Sequence, residues 1–252
     1  PDMKIIKRDA MSGKPIAGTA FSIKSVTGSY STSVTTGTDG SATLSAIPAG
    51  VYVVREESVP EPYIVTNTEQ TVALRPGKTS EVIFVDYEKP GLEIIKKNIV
   101  NGEPIEGVTY RIEQIDGSFS TSATTDNHGR IFLASIPVGS YKVTEINVPS
   151  HVILSPIPQE VALKAGETST VTFFNAIKPS LEIRKLDSVT GDPVKGAKFQ
   201  IWYGSNHTDT GELNDLGTYF SDASGKIILP EIKDGWYKVT ELEPASGYAI
   251  KE

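Results

Sequence analysis

Gly50-Val51-Tyr52-Val53-Val54-Arg55-Glu56 places Tyr52, Val54 and Glu56 at alternate positions. Side chains alternate across an extended strand, so these three share one face. The phrase returns as Gly139-Ser140-Tyr141-Lys142-Val143-Thr144-Glu145 and as Gly235-Trp236-Tyr237-Lys238-Val239-Thr240-Glu241. Each time an apolar face runs into a glutamate, while Lys142, Thr144, Lys238 and Thr240 fall on the opposite face. Other short alternating runs, such as Glu81–Val85, are bounded by Gly, Pro, Asn and Asp, the pattern of strands between turns. No stretch carries the 3.6-residue period of an amphipathic helix. The chain reads as all-β.

The repetition extends beyond this phrase. Shifted by 89 positions, Pro1–Pro90 lies over Pro90–Pro179 without a gap, with 38 identities in 90 pairs. Lys7 falls on Lys96, and the same step leads to Lys185. The glutamates are spaced 89 and then 96, and the extra residues lie in the polar stretch Tyr203–Tyr219. The spacing predicts three domains, 1–89, 90–178 and 179–252, joined near Lys89-Pro90 and Lys178-Pro179. About thirty residues follow the glutamate in the first two repeats, but only Leu242–Glu252 follow it in the third, which is expected to lack its last strand. Strands this short and closely spaced predict a small β-sandwich per repeat. The short joints predict repeats stacked end to end in an elongated, semi-rigid rod. Gly40, Gly129 and Gly225 each precede a short strand and fit turns that need positive φ.

Composition narrows the function. The 252 residues carry a net charge of −7 and no cysteine. The acidic balance argues against nucleic acid and anionic membranes. No apolar run is long enough to span a bilayer. Disulfides, thiolate metal sites and thiol catalysis are excluded together. The chain opens Pro1-Asp2-Met3, as an internal piece of a longer protein would.

Three polar side chains recur in the core phase. The first strand of each repeat presents Met3, Ile5 and Lys7, then Leu92, Ile94 and Lys96, then Leu181, Ile183 and Lys185. The strand after the Pro–Gly turn ends its face with Glu56, Glu145 or Glu241. The closing strand reads Val82, Phe84, Asp86, then Val171, Phe173, Asn175. An unpaired buried charge costs several kcal/mol, so an inward set must satisfy itself. At a single strand end, a long side chain reaching out to water is the simpler reading; recurrence in three strands weighs against it. A buried Lys–Glu ion pair with a neutral amide beside it stays open. A third reading is chemical. A lysine in an apolar core has a lowered pKa and becomes a nucleophile. A glutamate there has a raised pKa and can shuttle protons. Attack on a carboxamide expels ammonia and attack on a carboxylic acid expels water, leaving an amide between first and last strands. Held geometry then replaces an external enzyme, and the reaction turns over once.

Lys185-Leu186-Asp187-Ser188-Val189-Thr190-Gly191-Asp192-Pro193-Val194-Lys195-Gly196-Ala197-Lys198-Phe199 and Gly235-Trp236-Tyr237-Lys238-Val239-Thr240-Glu241-Leu242-Glu243-Pro244-Ala245-Ser246-Gly247-Tyr248 resemble the start and the E-box of Cna B-type domains, also called SpaA-like or prealbumin-like. Such domains build the stalks of adhesins and pilins on Gram-positive bacteria. The resemblance covers essentially the whole chain. It implies tandem reverse-immunoglobulin sandwiches, each with a Lys–Asn or Lys–Asp isopeptide bond assisted by Glu. By position these are Lys7–Asp86 with Glu56, and Lys96–Asn175 with Glu145. Lys185 and Glu241 match in the third repeat, whose acceptor would lie beyond Glu252. Asp86 departs from the commoner Asn, and its bond would form by loss of water. Pro60-Glu61-Pro62-Tyr63 and Pro149-Ser150-His151-Val152 replace the usual Gly-Tyr after the E-box proline.

The expected function is mechanical: an extracellular, wall-attached stalk, with neighbouring domains of a longer chain as its partners. The anchor would lie outside this sequence. The alternative is a module that binds host matrix or glycan. Ordinary turnover has no support in the sequence, and no cofactor is expected. A strand from another chain could complete the third repeat, although a simple cut in the chain also accounts for its missing strand. His128, His151 and His207 share no ligand spacing and read as loop residues, and no metal site is expected. Asp209, Glu212 and Asp215 break the EF-hand pattern and read as a solvated loop. Trp202 follows the apolar run Phe199–Ile201 and is expected in the core.

Overall fold

The structure is a computed structural model that describes residues 1–204 and 212–250. Asp209 and His207 lie outside the described residues. The chain gathers into two compact units. One comprises Pro1–Lys97, Glu103–Asn147 and Pro156–Phe173; the other comprises Asn98–Gly102, Val148–Ser155 and Phe174–Glu252. All regular elements among the described residues are strands.

The first repeat contributes β1 (Asp2–Asp9), β2 (Ala20–Ser25), β3 (Ser31–Thr35), β4 (Ser41–Leu44), β5 (Gly50–Ser58), β6 (Tyr63–Ile64), β7 (Glu69–Leu74) and β8 (Thr79–Glu88). They form two sheets, β4-β1-β8-β6 and β3-β2-β5-β7. Met3, Ile5, Val82 and Phe84 from one sheet pack with Phe21, Ile23, Tyr52, Val54 and Leu74 from the other in a single buried cluster. The result is a sandwich with alternating side chains turned inward. First and last strands are parallel neighbours, with Lys7 opposite Phe84 and Asp9 opposite Asp86.

The second repeat adds β9 (Gly91–Asn98), β10 (Thr109–Gln114), β11 (Ser120–Thr124), β12 (Arg130–Leu133), β13 (Gly139–Asn147), β14 (Gln159–Leu163) and β15 (Thr168–Asn175). The sheet orders are β12-β9-β15 and β11-β10-β13-β14. The third adds β16 (Leu181–Arg184), β17 (Lys198–Gly204), β18 (Asn214–Phe220), β19 (Lys226–Leu229) and β20 (Trp236–Glu243). Its sheets are β16-β19 and β18-β17-β20. Where β1 and β9 each run eight residues, β16 runs four.

Two details correct the sequence reading. Val239 stands in the core phase yet is 37% exposed, and Tyr237, Leu181 and Ile183 are only half-buried. Alternation assigns a face, but a face is buried only when another sheet covers it, and among the described residues β16 has no closing strand beside it. Trp202 is half-buried rather than in the core. It follows the fully buried Ile201 and so turns to the other face, where Lys238 Nζ stands 5.7 Å from its ring centroid.

Candidate functional site

Each lysine is fixed first by its backbone. Lys7 N donates to Gly40 O at 2.7 Å, and Ile16 N donates to Lys7 O at 3.1 Å. Lys96 is held by Gly129 and Ile105, and Lys185 by Gly225 and Val194, in the same way. Gly40 has φ 68°, and a β-carbon there would stand 2.6 Å from Lys7 O. Gly129 and Gly225 repeat both features. Positive φ and this close approach both require glycine.

In the first repeat the side chains meet in the dry interior. Lys7 Nζ lies 2.9 Å from Glu56 Oε2 and 2.8 Å from Asp86 Oδ2, and all three side chains are completely buried. Asp86 is oriented by Thr66, whose backbone N–H donates to Oδ1 at 3.0 Å and whose hydroxyl stands 3.2 Å from the same oxygen. Asp86 Oδ2 makes no hydrogen bond despite its closeness to the amine. Phe84 lies over the amine, its ring centroid 5.9 Å from Nζ, and Phe21 packs on Phe84 at 4.9 Å. Burial pushes the Glu56 carboxyl up to about 7; the Lys7 ammonium opposes the rise and the Asp86 carboxyl adds to it.

The second repeat holds the same buried amine–acid pair. Lys96 Nζ lies 2.7 Å from Glu145 Oε2, with both side chains fully buried. Tyr110 donates its hydroxyl to the same oxygen at 3.2 Å. The rings of Tyr110 and Phe173 flank the amine at 5.9 and 5.8 Å. Burial lowers the Lys96 pKa, against the pull of Glu145. It also raises that of Tyr110, with the Glu145 charge adding to the rise. Asn175 is buried on β15, two residues beyond Phe173, as Asp86 lies two beyond Phe84 on β8. In the third repeat Lys185 Nζ reaches Glu241 Oε2 at 2.9 Å, but the side chains are 22% and 16% exposed.

The aromatic on the second strand is a part of the site that the sequence reading missed. Phe21 is register partner to Glu56, Tyr110 to Glu145 and Phe199 to Glu241. Its signal was available: these aromatics also recur at intervals of 89. Thr66 was missed as well, because it lies in a loop with no alternation to read. The histidines His128 and His151 sit exposed in turns, as read.

In the first repeat two carboxyl groups thus stand within 2.9 Å of the Lys7 Nζ amine, with all three side chains fully buried. The family model of a prealbumin-like fold domain, SpaA, matches residues 1–88, 90–177 and 179–252.

The chain belongs to the SpaA prealbumin-like domain family.

No curated protein matches it. Among solved structures, the chain is similar to the TIE protein of Bacillus anthracis (TM-score 0.44, 23% identity), with 100% of this chain and 46% of that one covered. It thus spans less than half of that relative's length. It is similar to a shaft pilin, SpaA, of Lactobacillus rhamnosus GG at TM-score 0.43 and 17% identity, over 71% of this chain and 98% of that one. It is also similar to the minor pilin of Streptococcus agalactiae at TM-score 0.38 and 16% identity, over 74% and 99%.

Proposed function

We propose that this chain is a structural stalk segment of a Gram-positive surface protein, pilin or adhesin, whose SpaA-family domains staple themselves with internal amide bonds. Lys7 would join Asp86 with loss of water, assisted by Glu56. Lys96 would join Asn175 with loss of ammonia, assisted by Glu145. The observation that carries the reading is the approach of Lys7 Nζ to 2.8 Å from Asp86 Oδ2, with both side chains fully buried.

The step conserves its protons. A proton moves from Lys7 Nζ to Glu56 Oε2 across their 2.9 Å contact, leaving a neutral amine and a neutral acid. The amine attacks Cγ of protonated Asp86, a C–N bond forms, and the hydroxyl leaves as water with a proton passed through Glu56. In the second repeat the leaving group is ammonia. Each centre reacts once and is consumed.

The mechanical consequence follows from the parallel pairing of β1 and β8. Tension entering at Asp2 would run along β1 to Lys7, cross the amide to Asp86 and leave at Glu88. Residues 8–85 would lie outside the load path. The bond closes a loop of 79 residues, and by analogy with a disulfide of that span it disfavours the unfolded chain by about 4–5 kcal/mol. Placement outside the cell, attached to the wall through parts beyond this segment, fits staples that need no oxidant and resist reductant.

Fragment mapping tests the chemistry. After proteolysis, the peptide containing Lys7 should be found joined to the peptide containing Asp86, and that containing Lys96 to that containing Asn175. Recovery of all four as separate linear peptides would leave a buried ion pair in place of the bond.

A further inference from the structure

The two carboxyl oxygens of Asp86 stand in unlike surroundings. Oδ1 is held from the loop between β6 and β7: Thr66 donates its backbone N–H to it at 3.0 Å, and the Thr66 hydroxyl stands 3.2 Å away. Oδ2 makes no hydrogen bond and faces the amine, 2.8 Å from Lys7 Nζ. The loop is fixed at both ends, because Ile64 pairs with Tyr87 on β8 and Glu56 donates its backbone N–H to Thr68 O at 2.8 Å. Thr66 itself is exposed, whereas the side chain it holds is completely buried. The Thr66 hydroxyl donates to Val85 O at 2.9 Å. A hydroxyl has one proton and rotates to suit its acceptor, so this proton can turn to Oδ1 when charge gathers there. The 89-residue shift places Ser155 at the same point of the second repeat, again a hydroxyl, although its neighbours differ (Val65-Thr66-Asn67 against Leu154-Ser155-Pro156).

We infer that Thr66 is the oxyanion-binding residue of the first repeat: its N–H and hydroxyl take up the negative charge that forms on Asp86 Oδ1, and so fix Oδ2 as the oxygen that leaves. The inference rests on the amide chemistry proposed above. When the neutral Lys7 amine attacks Cγ of protonated Asp86, a C–N bond forms and the carbonyl electron pair moves onto Oδ1. Two donors at 3.0 and 3.2 Å meet it there, close to the range of about 2.7–3.1 Å at which such donors stabilise an oxyanion. The N–H is in place before the reaction and needs no rearrangement. The hydroxyl leaves Val85 O for Oδ1 only as charge develops, and an interaction that strengthens at that stage lowers the barrier. The electron pair then returns to restore the C=O bond at Oδ1. Oδ2 departs as water with a proton given by Glu56, and Glu56 takes a proton from the nitrogen in exchange. Thr66 ends unchanged.

The test refolds chain recovered unlinked from inclusion bodies and follows the bond in each repeat by timed peptide mapping. Thr66→Val keeps the N–H and removes the hydroxyl. It should slow the first-repeat bond by about tenfold, less than the roughly hundredfold or more lost with a principal oxyanion donor, because the N–H remains. The second-repeat bond in the same chains should form at the parent rate. Thr66→Ser should restore the parent rate in the first repeat. The slowing should be the same in acid and in alkaline buffer, because Thr66 does not titrate. Thr66→Ala also keeps the N–H and repeats the comparison, so the result does not hang on the folding of one variant. Linking at the parent rate with valine and alanine, or a slowing that serine does not restore, would overturn the inference and leave the stalk reading standing. Equal slowing of both repeats would mark an effect on folding and overturn it too. Absence of both bonds from the parent chain would overturn both readings.

Discussion

The first and third repeats hold the same amine–acid pair at the same 2.9 Å, but in different surroundings. In the first, both side chains are wholly buried beneath Phe84 on β8. In the third, no closing strand stands beside β16 among the described residues, and the pair is partly wet. The glycine turn and the second-strand aromatic therefore suffice to bring lysine and glutamate together. The closing strand adds exclusion of water and, under the proposed chemistry, the group to be attacked. That division separates positioning from reactivity.

The largest expected effect comes from removing the attacked group where it is present. Asp86→Ala should make the first repeat resemble the third, with amine and acid paired but unlinked. Pulled from its ends, the variant should release the 78 residues 8–85 as an extra extension of roughly 260–280 Å. The parent chain should show one fewer step of this size, keeping that of the unlinked third repeat. In urea the same repeat should lose about 4–5 kcal/mol of stability from the opened loop alone.

Removing the acid is the next largest change. Glu56→Gln should leave the first repeat unlinked and shrink the deficit from the variant's own sequence mass by about 18 Da, the water retained. Glu145→Ala should shrink the deficit from its own sequence mass by about 17 Da, the ammonia retained, with the first repeat unaffected. A linked repeat in either variant would break the role given to the glutamate.

A smaller effect concerns pH. Glu56 is pushed up to about 7, chiefly by burial. Its protonated form, which the condensation uses, is present below that pH and lost as pH rises through it. Chain recovered unlinked from inclusion bodies and refolded across this range should therefore link its first repeat more slowly above pH 7 than at pH 6. A rate that rises through pH 7 would contradict the assignment.

The smallest effect separates the two complete repeats. Tyr110 donates to Glu145 at 3.2 Å, while its counterpart Phe21 has no hydroxyl. Tyr110→Phe should preserve the bond in the second repeat and slow its formation by a few-fold, as fits a hydrogen bond worth about 1 kcal/mol. Timed mass spectra during refolding would measure it.

Much of this was legible from alternation and the 89-residue shift. Lys7, Glu56 and Asp86 each close an apolar face in phase, and the structure brings them into one contact group. What alternation does not encode is which strand lies opposite which, and where the register slips. The pairing of Phe21 with Glu56 follows a register shift between Ala20 and Phe21, as that of Tyr110 with Glu145 follows one between Thr109 and Tyr110. Those aromatics read as ordinary core. Thr66 lies outside any strand, so its grip on Asp86 had no periodic signal. The exposure of Val239 depends on what covers its face, and parity along its own strand is silent about that.

The central claim is that folding converts two buried lysines into amides. The intact mass of the folded chain, measured after denaturation, tests it most directly. The account predicts a mass about 35 Da below that of the sequence, one water and one ammonia lost in the two condensations. A mass equal to that of the sequence would contradict it.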